Sequence, residues 1–170
     1  MKLYNRIILI GYRASGKTTV GQLIAEKMEW KFNDTDWIIE NDTGSSLPYF
    51  FKTFGESAFR NKEYMVLKDL LDLPIPQVIS NVKNWAPNAL LVGFKLLVNS
   101  NDVELIENAK KSIVDNKCDM VVANDLRDIK NNDHRLIIVK SDLSVTFHNS
   151  DKNDPNYLAR KVIQTIKELK

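Results

Sequence analysis

The sequence predicts an α/β fold of three layers, α/β/α, in which a mainly parallel sheet is covered by helices on both faces. Two observations predict it. Apolar runs of strand length alternate with longer segments in which apolar residues recur at helical spacing. The first apolar run also passes through a glycine-framed loop at 11–18 directly into a helical segment. The 170 residues suffice for a substantial core, and we expect one α/β domain over 1–170.

The N-terminal part begins with a strand and a helix. Residues 4–10 form an apolar run that predicts a buried strand. The next segment, 17–29, predicts a helix with one apolar face, formed by Val20, Leu23, Ile24 and Met28. The further predictions are a short strand at 31–36 that ends in two carboxylates, helices at 37–43, 46–54 and 56–73, and a break at Pro74 and Pro76.

The C-terminal part continues the alternation. Asp102 is the expected N-cap of its long helix, because an aspartate commonly precedes such an apolar pattern. Asn131 to His134 predict a turn. The predicted helices are 77–86, 102–116 and 154–169, and the predicted strands are 89–98, 119–124, 135–140 and 144–148.

Composition and charge exclude several classes of function. The net charge is +2, so we expect no general attraction to nucleic acid or to a membrane surface. No apolar stretch has the length needed to cross a bilayer, and the N-terminal run lacks a signal-peptide cleavage site. The single cysteine, Cys118, excludes an internal disulfide, suits a cytoplasmic protein, and is expected to be a buried structural thiol.

The loop at 11–18 reads GYRASGKT and fits the pattern G-x-x-x-x-G-K-[ST]. Such a loop curls so that backbone N–H groups point at an anion, and the following helix adds its positive N-terminal end. The Lys17 ammonium can reach the β- and γ-phosphates of ATP, and the Thr18 hydroxyl can bind magnesium. Thr19 is either part of the site or only a helix residue. The expected nucleotide-binding residues are Gly11, Ser15, Gly16, Lys17, Thr18 and Thr19.

Residues 1–73 resemble shikimate kinase, on the phosphate loop, on Asp34-Thr35-Asp36 and on the Phe59-Arg60 that follows a Gly-Glu pair. The resemblance implies that Asp34 helps to hold magnesium and that Asp36 orients the attacking substrate hydroxyl. It also implies that Arg60 binds the shikimate carboxylate, so Lys17, Asp36 and Arg60 are the candidate catalytic residues. Alternatively, Asp34 caps the next helix and Arg60 is a solvated helix residue.

The chain departs from that family in two features. Shikimate kinases carry a run of glycines that packs against substrate, whereas none of the six glycines here is adjacent to another. The family also closes a lid whose arginine reaches the transferring phosphoryl group, and no arginine lies between Arg60 and Arg127. Lys95, Lys110 and Lys111 are the candidate substitutes. Because phosphoryl transfer depends on positioning and on charge neutralisation, we expect impaired catalysis.

Residues 74–170 resemble the C-terminal half of phosphopantothenate–cysteine ligase. The resemblance rests on G-F-K at 93–95, A-N-D at 123–125 and His134. It implies that the residues of the first two motifs lie at strand ends near that family's nucleotide pocket. Alternatively, Phe94 belongs to the core, Asn124 and Asp125 form a turn, and His134 is a loop residue.

The two resemblances meet near Leu73–Pro74 without a linker, which predicts a chimera of two half-domains, 1–73 and 74–170. Three functions stay open: a module that binds a nucleoside triphosphate with magnesium, an active shikimate-type kinase, and a ligase-related protein. The expected partners are the triphosphate, shikimate and a second copy of the chain in a homodimer.

Overall fold

The structure is a computed structural model that describes residues 5–12, 14–71, 82–130, 135–151, 153–154 and 156–169. The junction near Leu73–Pro74, the beginning of the predicted helix at 77–86 and the predicted turn with His134 lie outside the described residues.

The described chain contains five strands and seven helices, and most elements fall where the sequence predicts them. The strands are β1 (Arg6–Gly11), β2 (Ala89–Leu97), β3 (Met120–Asp125), β4 (Arg135–Lys140) and β5 (Val145–Asn149). The helices are α1 (Lys17–Met28), α2 (Thr35–Thr43), α3 (Leu47–Leu71), α4 (Val82–Trp85), α5 (Asp102–Asn116), α6 (Leu126–Lys130) and α7 (Tyr157–Glu168). Gly55 interrupts α3 with φ 79° and ψ 174°, so the predicted division into two helices is confirmed.

The strands form one mixed sheet in the order β1-β2-β3-β4-β5, and the α/β fold class is confirmed. β1, β2 and β3 are parallel, whereas β4 and β5 pair antiparallel. The links explain the change of direction. Residues 98–119 between β2 and β3 contain the crossover helix α5, but the β4–β5 link at 141–144 is a short hairpin connection. The carboxyl ends of β1, β2 and β3 therefore lie at one edge of the sheet, called here the carboxyl edge.

Helices cover both faces of the sheet, as a three-layer fold requires. On one face, Val20 and Ile24 of α1 pack with Val162 and Ile166 of α7 against apolar side chains of β2, β3 and β4. The opposite face packs against α5, whose buried residues are Leu105, Ala109 and Ile113. A smaller, separate cluster of Ile39, Leu47, Phe59 and Val66 joins α2 to α3. The predicted apolar face of α1 is confirmed.

Two local predictions were wrong. The predicted strand at 31–36 is absent, because Asp34 is the N-cap of α2 and its side chain accepts a hydrogen bond from the Asp36 N–H. The N-cap of α5 is Asn101 instead of Asp102, since Asn101 and Glu104 form a reciprocal capping box. Asn124 and Asp125 lie at the end of β3, as the strand-end prediction has it, and the alternative of a turn does not hold, because α6 follows them directly. Among the described residues, none of the helices combines the length and the apolarity that a membrane span requires.

Candidate functional site

The phosphate loop leaves β1 at a position that only glycine fits. Gly11 has φ 144°, is the last residue of β1 and lies opposite Phe94 of β2. A Cβ atom on Gly11 would lie 2.1 Å from the Phe94 carbonyl oxygen, which is closer than any non-bonded contact allows. The first glycine of the motif therefore permits the close approach of the loop to its neighbouring strand.

The loop ends at the N-terminus of α1 in a conformation suited to an anion. Gly16 has φ 93° and is the N-cap of α1, and it supplies no side-chain oxygen to the first turn. That turn contains no acidic residue, and Ala14 also has a positive φ of 58°. The N-terminus of α1 therefore presents the positive end of the helix dipole at the loop. No carboxylate in the first turn of α1 neutralises that positive charge.

Ser15 and Lys17 are both held by the carbonyl oxygen of Tyr12. Ser15 is 3% exposed, and its Oγ donates a hydrogen bond of 2.7 Å to that oxygen. The Lys17 Nζ donates to the same oxygen at 2.5 Å and lies 3.5 Å from Ser15 Oγ. The ammonium of Lys17 therefore lies against the phosphate loop that precedes its own helix.

Asp34 connects the loop to α2 with its two carboxylate oxygens. Oδ2 accepts a hydrogen bond of 2.9 Å from Thr18 Oγ1, and Oδ1 accepts one of 3.0 Å from the Asp36 N–H. Asp34 therefore caps α2 and also contacts Thr18, the other residue that the sequence predicts as a magnesium ligand. A hydroxyl and a carboxylate are hard oxygen donors of the kind that Mg²⁺ prefers.

The donor set fits magnesium better than a metal that needs an all-protein cage. Among the described residues, no group of three or more histidine, cysteine, aspartate or glutamate side chains could hold a metal ion. Magnesium is usually held by one or two protein oxygens together with substrate phosphates and water. Thr18 and Asp34 supply this number of ligands next to the phosphate loop.

The remaining two candidate catalytic residues differ in their surroundings. Asp36 is half-buried in the first turn of α2. Arg60 has a side chain that is 61% exposed and pairs with glutamates of its own helix, Glu63 at 2.7 Å and Glu56 at 3.4 Å. The hydrogen bond to Glu63 raises the pKa of Arg60 above its ordinary value. Arg60 would have to exchange these partners to bind a substrate carboxylate.

The C-terminal motifs contribute buried residues to the same sheet. Phe94 belongs to the core on the α1 side, whereas Lys95 pairs with Ala123 and lies on the α5 side. Asp125 accepts hydrogen bonds from the Ser100 N–H at 2.6 Å and the Arg127 N–H at 2.7 Å. Although burial disfavours its charged form, these groups and the Asn99 N–H hold the pKa of Asp125 below its ordinary value.

Cys118 is buried, 2% exposed, as the sequence predicts. Burial, with a smaller contribution from the Asp119 carboxylate, raises the pKa of its thiol to about 12. The thiolate that a nucleophile requires is therefore suppressed at neutral pH.

Two contacts of the site were not predicted from the sequence, one with Lys17 and one with Arg60. The Tyr12 contact with Lys17 uses a backbone carbonyl, which leaves no trace in residue type. The ion pairs of Arg60 are visible in principle, because Glu56 and Glu63 stand four residues before it and three residues after it, at helical neighbour spacing.

Two family models match the chain. The model described as shikimate kinase matches residues 13–81. The model described as DNA/pantothenate metabolism flavoprotein C-terminal domain matches residues 57–169. The two matches overlap over 57–81, and both resemblances predicted from the sequence are confirmed.

Individual relatives are of the same two kinds. The shikimate kinase of Synechococcus elongatus is 45% identical over 64 residues, which cover 38% of this chain and 34% of the relative. The chain thus spans about a third of that relative's length. A DNA/pantothenate metabolism flavoprotein from Streptococcus pneumoniae is 32% identical with a TM-score of 0.48, over 58% of this chain and 41% of that one. A shikimate kinase from Acinetobacter baumannii, solved in complex with shikimate, is 28% identical with a TM-score of 0.45, over 55% and 57%.

Proposed function

We propose that this protein binds a nucleotide through its shikimate-kinase-like N-terminal part. Through residues 57–169, the chain belongs to the DNA/pantothenate metabolism flavoprotein C-terminal domain family. It binds a nucleoside triphosphate such as ATP with magnesium through residues 11–18. Transfer of the terminal phosphoryl group to shikimate is very slow or undetectable.

The contact between Thr18 and Asp34 carries the binding proposal. The two residues stand sixteen positions apart, yet Thr18 Oγ1 and Asp34 Oδ2 lie 2.9 Å from each other at the start of α1. Magnesium, when bound, neutralises charge on the phosphates. Lys17 would leave the Tyr12 carbonyl for the phosphate oxygens, and the N-terminus of α1 would bind them through its N–H groups. Thr18 and Asp34 would hold the metal.

Weak transfer is supported by the positions of the available cations. Lys95 lies on the α5 side of the sheet, and Lys110 and Lys111 belong to α5 itself. The phosphate loop leads into α1 on the opposite face. These lysines are therefore poorly placed to replace the lid arginine of shikimate kinases, and a lysine lacks the planar fork of an arginine. Arg60 is engaged by two glutamates of its own helix.

Calorimetric titration with ATP and magnesium tests the binding proposal. Lys17→Ala removes the ammonium over the loop, and we expect affinity at least about tenfold weaker, since a charge-assisted contact with phosphate contributes more than 1.4 kcal/mol. Lys27→Ala is the matched control, because it removes the same charge from the other end of the same helix. Equal affinities in wild type and Lys17→Ala would refute the proposal.

A further inference from the structure

The sheet ends at β5, and one side of this strand faces outward. Among the described residues β5 pairs with β4 alone, as the last strand in the order of the sheet. The Lys140 N–H donates to the Ser144 carbonyl oxygen at 3.1 Å. Hydrogen-bonded pairs alternate along an antiparallel ladder, so the backbone groups of Thr146 and His148 also face β4. The residues whose backbone groups face outward are Val145, Phe147 and Asn149.

Phe147 is exposed on the face of the sheet that α5 covers elsewhere. It lies opposite Ile137 of β4, and directly opposite residues point to the same face. Ile137 is 1% exposed in the cluster beneath α5, whereas Phe147 is 54% exposed. The cover that α5 provides therefore ends at β4. Leu143, in the turn that leads into β5, is 44% exposed and adds a second exposed apolar side chain at the beginning of the strand.

β5 lacks the features by which proteins usually protect the edge of a sheet. Natural edge strands often carry charged residues, prolines or bulges that prevent pairing with another chain. Residues 145–149 read VTFHN, with no lysine, arginine, acidic residue or proline, and their register with β4 is continuous. The edge therefore presents outward-facing N–H and C=O groups beside an exposed aromatic ring, and an extended strand of another chain can pair with it.

We propose that β5 pairs with β5 of a second copy of this chain, with the two strands antiparallel and Phe147 at the two-fold axis. In that register Phe147 exchanges N–H···O=C hydrogen bonds with Phe147 of the partner subunit. Both rings then lie on the same face of the joined sheet, where opposite aromatic side chains stabilise a strand pair. Because a two-fold contact uses the same edge in both copies, assembly stops at the dimer.

The size of this edge predicts a weak dimer. A strand of five residues is roughly 17 Å long, and a sheet with one helix layer is roughly 20 Å thick, so each copy contributes roughly 350 Å². The total of about 700 Å² is less than the ~1,200 Å² that stable interfaces bury. The phosphate loop leaves β1 at the opposite end of the sheet, so the dimer should form with or without nucleotide.

Sedimentation velocity between about 1 μM and about 1 mM protein tests the dimer, and we expect a dissociation constant on the order of 100 μM for the wild type. Phe147→Lys puts a charge at the centre of the edge and should weaken association at least about tenfold. Phe54→Lys is the matched control, because Phe54 is 58% exposed and carries the same change on α3. It should dimerise like the wild type. Urea unfolding shows whether each variant folds, and Phe147→Ser replaces a lysine variant that does not.

Phe147→Cys tests the two-fold register separately. Hydrogen-bonded antiparallel pairs have Cα atoms about 5.5 Å apart, within the reach of a disulfide, so mild oxidation should link two copies. Phe54→Cys should not link, and Cys118, the only native cysteine, is buried. The proposal is overturned by a wild type that stays monomeric over the whole range, by a dimer that survives Phe147→Lys or is lost equally in Phe54→Lys, or by equal cross-linking of the two cysteine variants.

Discussion

Asp34 combines a structural and a metal-binding role, and two substitutions separate them. Asp34→Ala removes the N-cap of α2, which is worth about 1 kcal/mol, and the hydrogen bond from Thr18, worth about 1 kcal/mol more. The free energy of unfolding should fall by about 2 kcal/mol, and the melting temperature by about 4–8 °C for a chain of this size. Asp34→Asn keeps an oxygen for the cap, since asparagine caps about as well as aspartate, and should lose less than about 1 kcal/mol.

Urea unfolding measures the stability difference, and titration with ATP at varied magnesium measures the metal difference. Both variants lose the carboxylate charge, so both should lose the gain in nucleotide affinity that magnesium gives the wild type. The expected pattern is thus one variant impaired in both properties and one impaired only in magnesium dependence. Equal loss of stability in both variants, or an unchanged magnesium dependence in Asp34→Asn, would refute this division of roles.

Two further predictions concern the whole chain and its thiol. β1 pairs along its length with β2, and α1 packs against α7, so the two parts of the chain share one sheet and one core. Thermal unfolding followed by circular dichroism and by tryptophan fluorescence should therefore give one shared transition. Two separate transitions would contradict a single domain over 1–170. The pKa of Cys118, about 12 in the folded state, lies above that of an unfolded thiol, so its contribution to stability is complete below pH of about 8.5 and is lost as the pH rises toward 12. Cys118→Ala should flatten this alkaline loss in urea titrations, and an unchanged slope would count against the assignment.

Local patterns predicted most of the fold, and the errors have local causes as well. The apolar repeat of α1 and the apolar runs of β2, β3 and β4 were sufficient because one buried face dominates each element. The segment 31–36 was predicted as a short strand, but the Asp34 side chain accepts a hydrogen bond from the backbone N–H two residues further on and begins a helix instead. The antiparallel pairing of β4 depends on link length and strand order, which periodicity does not report.

The sequence predicted one part of the candidate site and could not predict another. The phosphate loop follows from its motif because each residue acts through its own type and position, as Gly11 does against Phe94. The contact of Lys17 with a backbone carbonyl depends on the tertiary surroundings, so residue type alone could not predict it.

The rate of phosphoryl transfer to shikimate tests the central claim most directly. Wild type and Lys17→Ala are each incubated with ATP, magnesium and shikimate, and the formation of ADP and phosphorylated shikimate is followed. We predict that the wild type forms phosphorylated shikimate no faster than Lys17→Ala, although the wild type binds the nucleotide. Turnover on the order of 1 per second or faster, which is ordinary for an enzyme, would contradict the account.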